Sequence, residues 1–274
     1  MNAVPQLAFE NDFVLNCILG ISSLQLQRQC PGSELARRDT DIYRGKALSG
    51  FRQALSLMKP GSSLYESALI TSILLVVLYS KNDGFEEGEL LIVNWLILYR
   101  GLSTIISIGE VEEVKSLSIW PIFQRDFTPL QNEPVVPRIL VEILQGIHPR
   151  DPDFPMLEGW CKVLDTLGLL YGGLQQDGLS PELYIRIVAW PSYTTQDFTT
   201  GAQQRRPRVL VILTYYLSFL KLLQGCLWWT DGIADREIQA IAKLLGPAWH
   251  PFMEVPLRVV EMTDCEEIAK VLLS

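Results

Sequence analysis

The stretch PRVLVILTYYLSFLKLLQG, Pro207 to Gly225, is apolar at nearly every position, and it runs into GCLWWTDGIADREIQAIAKLLGPAW, Gly225 to Trp249, which is not. The first reads as a helix buried on all sides, opened by Pro207 at a first-turn position where its missing N–H costs nothing. In the second, Ile238, Ile241, Ala242 and Leu245 recur at offsets of three, four and seven, so one face turns inward, and Gly246-Pro247 ends the run. Thr230 or Asp231 is the expected N-cap. Trp228 and Trp229 fall at the corner between the two helices, where a large aromatic side chain fixes an interhelical angle by packing or lines a pocket. Neither segment alternates with the period of two that a half-buried strand requires.

Outward from this pair, helix signals recur. Ala47, Phe51, Leu55 and Met58 keep helical spacing in a run from Ser33 that stops at Lys59-Pro60-Gly61. Ser63 to Glu66 has the form of a capping box ahead of the apolar run Ala68 to Tyr79. Asn82 to Gly88 reads as a loop, and ELLIVNWLILYRGLSTIISIG after it as a central helix. Trp120 to Pro134 and His148 to Pro155 are proline-rich loops. Helices are expected over Val136 to Ile147, with Pro137 in its first turn, and over Met156 to Tyr171, closing at Gly172-Gly173. Ser180 and Pro181 open another. Pro191 to Arg206 reads as a surface loop. The sum is about ten helices in one large all-α domain over residues 1–274.

Composition narrows the function classes. The chain of 274 residues is 48% hydrophobic and 20% charged, with a formal net charge of -8. Phosphate backbones are held by clustered Lys and Arg, and the best cluster here is Arg205, Arg206 and Arg208, so direct nucleic-acid binding is not expected. Five scattered cysteines without a C-x-x-C pair, and two histidines each followed by proline, point to a reduced intracellular protein, nuclear or cytoplasmic, with no metal and no organic cofactor. The apolar runs Ala68 to Tyr79 and Leu90 to Tyr99 fall short of the roughly 20 residues that cross a bilayer.

Several segments resemble a known family. AWPSYTTQDF, RPRVLVILTYYLSFLKLL and LWWTDGIADREIQAIAKLLGPAWHPFMEVP are similar to the C-terminal part of the regulatory domain of fungal zinc-cluster transcription factors, the sterol uptake control protein group above all. VPQLAFENDFVLNCILGISSLQL, YRGKALSGFRQAL and ALITSILLVVLY resemble that family's first helices. The resemblance implies an all-helical effector domain that holds a hydrophobic small molecule, a sterol in the sterol-sensing members, and controls lipid or secondary-metabolite genes. The sequence departs from the pattern in two ways. The six-cysteine zinc cluster is absent from these 274 residues, and Gly20 and Gln25 stand where the family reads closer to Ala and His. The chain is thus either an excised effector domain or a stand-alone descendant.

Three function classes follow. In the first, the chain is a ligand-responsive regulatory domain whose isolated polar groups, Thr214, Tyr215, Tyr216 and Ser218, orient a greasy ligand. Trp95, Tyr99, Tyr215, Tyr216, Phe219, Trp228 and Trp229 are its candidate ligand-binding residues. In the second, a stand-alone protein has become a cyclase or isomerase of a polyketide or terpenoid intermediate, with Asp231, Asp235 and His250 near the tryptophan corner as acid or base groups. Nucleophile elbows, phosphate loops and diphosphate-binding aspartates are all missing from the sequence. In the third, the chain forms a homodimer or binds a co-regulator, with Glu112 to Trp120 as an amphipathic stripe.

Overall fold

The computed structural model describes residues 3–58, 62, 64–80, 89–108, 117 and 134–274, with 107 and 108 by backbone alone. The described residues hold thirteen α-helices and no strand. The chain divides into two compact units, Met1–Asp83 with Leu98–Asp126, and Gly84–Ile97 with Phe127–Ser274.

The first unit is built on α1 (Ala3–Glu10), α2 (Asp12–Gln29), α3 (Glu34–Leu57) and α4 (Leu64–Leu78), joined by the second half of α5 (Leu91–Ile108). Ser33 opens α3 as its N-cap, accepting from Ala36 N at 3.2 Å. α2 and α3 pack as an antiparallel hairpin. Gln27 donates to Ala36 O and Thr40 Oγ1, Gly20 faces Tyr43, and Phe13 lies against Gly50, so the pairing counts up one helix as it counts down the other. Gly20 permits this approach, because a Cβ there would lie 2.7 Å from Leu78 Cδ1 and 3.3 Å from Tyr43 Cβ. Phe13, Cys17, Ala47, Phe51, Leu69, Leu75 and Leu102 form the centre of the unit's core. Buried Arg44 closes the end of α4 by donating to Leu78 O at 3.0 Å, with its guanidinium over the Tyr79 ring. α1 and α2 meet at 118°, and among the described residues no single helix is long and apolar enough to cross a membrane. Ser63, one member of the expected capping box, lies outside the described residues, as do 59–61, 82–88, 120–133 and, apart from Leu117, the stripe at 112–120.

The second unit takes the first half of α5, then α6 (Arg138–Gln145), α7 (Leu157–Asp177), α8 (Pro181–Ala189), α9 (Gln196–Gln203), α10 (Pro207–Lys221), α11 (Ile233–Leu245), α12 (Glu254–Val260) and α13 (Cys265–Leu272). Its central element is α10, buried from Val209 to Lys221 and touched by α6 through α9 and by α11 through α13. That place was expected of α5, but Ile97, Gly101, Thr104 and Ile106 of α5 are exposed.

Four local expectations are corrected. α7 does not close at Gly172-Gly173. Both glycines are buried and the helix continues to Asp177, because Leu174 packs inward beyond them; Gly178, at φ 61°, ends it. α6 is shorter than expected, with Pro137 before its first turn as N-cap. Pro191 to Arg206 is not a surface loop. A 3₁₀ turn, Trp190–Tyr193, leads to Thr195, which caps α9 by accepting from Phe198 N at 3.2 Å, and Phe198 and Ala202 are buried. Finally, neither Thr230 nor Asp231 caps α11. Gly232, in the left-handed region at φ 75°, is the N-cap, while Thr230 Oγ1 donates to Leu227 O and Asp231 Oδ1 accepts from Gly225 N.

Candidate functional site

Six of the seven candidate residues belong to the second unit, and Tyr99 belongs to the first. Trp95 lies near the start of α5 with its ring centroid 5.5 Å from that of Trp229 and the planes at 58°. Trp95 is 1% exposed, whereas Trp228 and Trp229, on a 3₁₀ turn between α10 and α11, are both half-buried. The corner therefore has one fully buried indole under a half-buried one. The Trp95 Nε1–H is buried and meets no acceptor among the described residues.

A second group forms along α10. Tyr171 of α7 stands edge-on to Phe219, with centroids 4.8 Å apart and planes at 85°. Its hydroxyl is buried without a partner among the described residues. Burial pushes the Tyr171 phenol well up, and neighbouring Tyr215 adds to the shift; burial and then Glu254 push Tyr215 up in turn. Tyr171, Tyr215 and Phe219 thus share one region of the core. Tyr216 points elsewhere, stacked on Trp190 with centroids 4.3 Å apart, and its hydroxyl donates to Ile187 O at 3.1 Å. Thr214 and Ser218 return their hydroxyls to Val211 O and Thr214 O of their own helix, so neither presents a free donor to a ligand. In the first unit, burial raises the Tyr99 phenol.

Charged side chains hold these elements in place. Lys221, at the end of α10 and 3% exposed, spends its three donors on Asp235 Oδ1 at 2.6 Å, Val259 O at 2.9 Å and Val260 O at 2.8 Å. One ammonium thereby ties α10 to α11 and to the carbonyl end of α12, where a cation suits the helix dipole. Glu237 of α11 does the converse at an N-terminus. Its buried carboxylate accepts from Ile92 N at 3.0 Å, fixing the start of α5 and hence Trp95 against α11. Burial raises the Glu237 carboxyl, and the bonds from Ile92, Arg236 and Leu91 pull it partly back.

Sequence reasoning missed Tyr171, Trp190, Lys221 and Glu237. A lysine inside the run FLKLL was the available signal for Lys221, since an apolar helix tolerates an ammonium only with partners. Nothing local marks Glu237, whose partner is 145 residues away.

Two of the three groups proposed for acid and base chemistry, Asp231 and Asp235, are engaged in the fold. Asp235 pairs with Lys221, Asp231 accepts from Gly225 N, and His250 is exposed on a 3₁₀ turn. Arg206 and Arg208, from the one basic cluster, are bound to buried Asp153, and Arg208 also to Asp151. Among the described residues no group of three or more His, Cys, Asp or Glu side chains could hold a metal ion.

Residues 1–108 match the fungal specific transcription factor domain. The chain is also similar to a Zn(2)-C6 fungal-type transcription factor of Gibberella zeae, at 21% identity over 283 aligned positions that cover 94% of this chain and 55% of the relative. The chain is thus similar to fungal transcription factors, over its first 108 residues by the domain match and along most of its length by this relative. The chain spans about half the length of that relative. No solved structure matches it.

Proposed function

We propose that this chain is the regulatory portion of a fungal Zn(2)-C6-type transcription factor, and that its second unit senses a hydrophobic small molecule of the sterol or secondary-metabolite class to control transcription in the nucleus. The observation that carries the reading is the Trp95 indole. A buried N–H without an acceptor costs about 1–3 kcal/mol, which a ligand oxygen accepted there would recover. The half-buried Trp229 ring beside it offers the flat apolar surface that a polycyclic ligand needs. The Tyr171 hydroxyl supplies a second donor of the same kind.

Thermal unfolding in the presence of a sterol, and separately of a long-chain fatty acid, tests the proposal. A ligand bound only to the native state adds about 2.7 kcal/mol at 100 times its Kd, so the transition temperature rises with concentration and tryptophan emission shifts with it. Unchanged unfolding across both titrations, with unchanged emission, defeats the reading. The proposal extends to self-association through the first unit, where Phe9, Leu35 and Leu57 are 88%, 69% and 63% exposed. Sedimentation as a monomer at every concentration up to the micromolar range removes that part.

A further inference from the structure

Two of the five cysteines fall at one turn of the second unit, outside the aromatic groups described above. Cys226 lies in the turn after α10, exposed, with its N–H donating to Leu223 O at 3.0 Å. Cys265 is the first residue of α13, half-buried, and its thiol lies 3.7 Å from Leu222 O. Leu222 and Cys226 are four residues apart in one turn that bends at Gly225, φ 79°, and the Cys226 N–H is tied back to Leu223 O. The Cys265 sulfur therefore touches the backbone four residues before Cys226.

A third element reports the same meeting point. Burial raises the Tyr184 phenol on α8, and Cys226, Cys265 and Glu266 raise it further. Burial likewise raises the Cys265 thiol, with Cys226, Asp264 and Glu266 adding to the shift and Lys221 opposing it. The other cysteines are placed differently. Cys17 is sealed in the core of the first unit, its thiol pushed up to about 12 by burial, Cys30 follows α2, and Cys161 is exposed on α7 beside Asp165.

We propose that Cys226 and Cys265 are a dithiol modification site, closed to an intramolecular disulfide by a peroxide and reopened by a small-thiol reductant. Exposed Cys226 meets the oxidant first. Its thiolate attacks the O–O bond, taking one oxygen as a sulfenic acid while the other leaves as water. The Cys265 sulfur then displaces the sulfenic oxygen, which leaves as the second water, and the sulfur–sulfur bond forms. Two thiols and one hydrogen peroxide give one disulfide and two waters; the sulfurs lose two electrons and the peroxide gains them. The bond encloses Trp228, Trp229, α11 and α12 in a covalent loop, and a loop closed in this way restricts the unfolded chain.

The test uses the full 274-residue chain, oxidised with hydrogen peroxide, blocked with N-ethylmaleimide and mapped by peptide mass spectrometry. We expect a cross-linked peptide joining Cys226 to Cys265 that dithiothreitol dissolves, and a transition temperature that rises on oxidation and returns on reduction. Cys226→Ser and Cys265→Ser abolish both effects while leaving the reduced protein's circular dichroism unchanged. The wild-type map alone also decides. Cys226 oxidised to sulfinic acid beside an alkylatable Cys265, Cys226 joined instead to Cys30 or Cys161, or both thiols fully alkylated after peroxide each overturn the assignment.

Discussion

Replacing Lys221 with methionine keeps the length and the apolar stem of the side chain and removes the ammonium. Three interactions go with it, to Asp235 Oδ1, Val259 O and Val260 O. A hydrogen bond to a charged group contributes about 1.5–3 kcal/mol, and breaking a buried pair costs about 3–5 kcal/mol because the remaining partner is left unsatisfied. Two circumstances moderate the loss. The Asp235 side chain is 34% exposed, so water takes over part of its solvation, and the methionine no longer carries the desolvation cost of a buried ammonium. The Val259 carbonyl still accepts from Met262 N at 3.1 Å, whereas the Val260 carbonyl loses its bond to the ammonium. We expect Lys221→Met to cost about 3 kcal/mol. Asp235→Asn leaves the ammonium buried with carbonyls alone and costs about 2 kcal/mol, whereas the double variant loses little more than Lys221→Met, giving a coupling of about 2 kcal/mol. Urea unfolding of the four proteins, with midpoints compared at unchanged slope, measures this cycle. A loss below about 1 kcal/mol in Lys221→Met, or strictly additive losses, would refute the view that this ammonium organises the joint of α10, α11 and α12.

Further predictions follow from the same geometry. Trp95→Phe changes the stability of the unliganded protein by less than about 1 kcal/mol, because lost ring area is offset by removal of the unpartnered N–H, yet it weakens sterol or fatty-acid stabilisation; thermal shift with and without ligand separates the two effects. Glu237 is a carboxylic acid whose folded proton affinity is raised by burial, so its protonation favours the fold, and stability falls as pH rises from the ordinary glutamate value of 4.5 through the raised one. Glu237→Gln removes that slope, and unfolding midpoints measured from pH 4 upward should shift in favour of the glutamine variant as pH increases; a constant gap between the two proteins contradicts the assignment. Glu237→Leu, which leaves Ile92 N without its acceptor, costs about 2–3 kcal/mol at pH 4 and less as pH rises, because it too lacks the glutamate's slope; the same unfolding curves read it. Gly201→Ala places a methyl 2.8 Å from Val209 Cγ2 and 3.1 Å from the rigid Trp160 ring. Overpacking of about 1–3 kcal/mol outweighs a helix-propensity gain of about 1 kcal/mol, and a lowered transition temperature is the expected readout.

Much of the architecture was legible because long apolar runs carry their own periodicity. α3, α4, α8, α10 and α11 fall where spacing, Ser caps and Gly-Pro stops place them. α9 was missed for a physical reason: QDFTTGAQ offers only Phe198 and Ala202 to the core, and its packing depends on Gly159 and Trp160 from another helix rather than on its own pattern. Gly172-Gly173 resembled a stop because backbone entropy is a local quantity, whereas the burial that overrides it is not. The candidate site was legible as a set of aromatic residues and not as an arrangement. Trp95 and Trp229 do meet, but Tyr216 belongs with Trp190, and Tyr99 falls in a different unit. The Lys221–Asp235 pair spans 14 residues and the Glu237–Ile92 bond 145, and neither is the spacing of three or four that pairs side chains along one helix.

That separation has a consequence for synthesis. The first turn of α5 leaves the ribosome 145 residues before Glu237, the side chain that accepts from its N–H. At about 5–20 residues per second, the interval is roughly 7 to 30 s. Throughout it, a segment rich in leucine, isoleucine and tryptophan waits for the helices that will cover it. The α2–α3 hairpin, whose partners are near neighbours in the chain, can close long before. Translation speed across residues 93–237 therefore sets how long the Leu91–Ile97 segment is available to chaperones, and synonymous codon changes there should alter soluble yield without altering the purified protein.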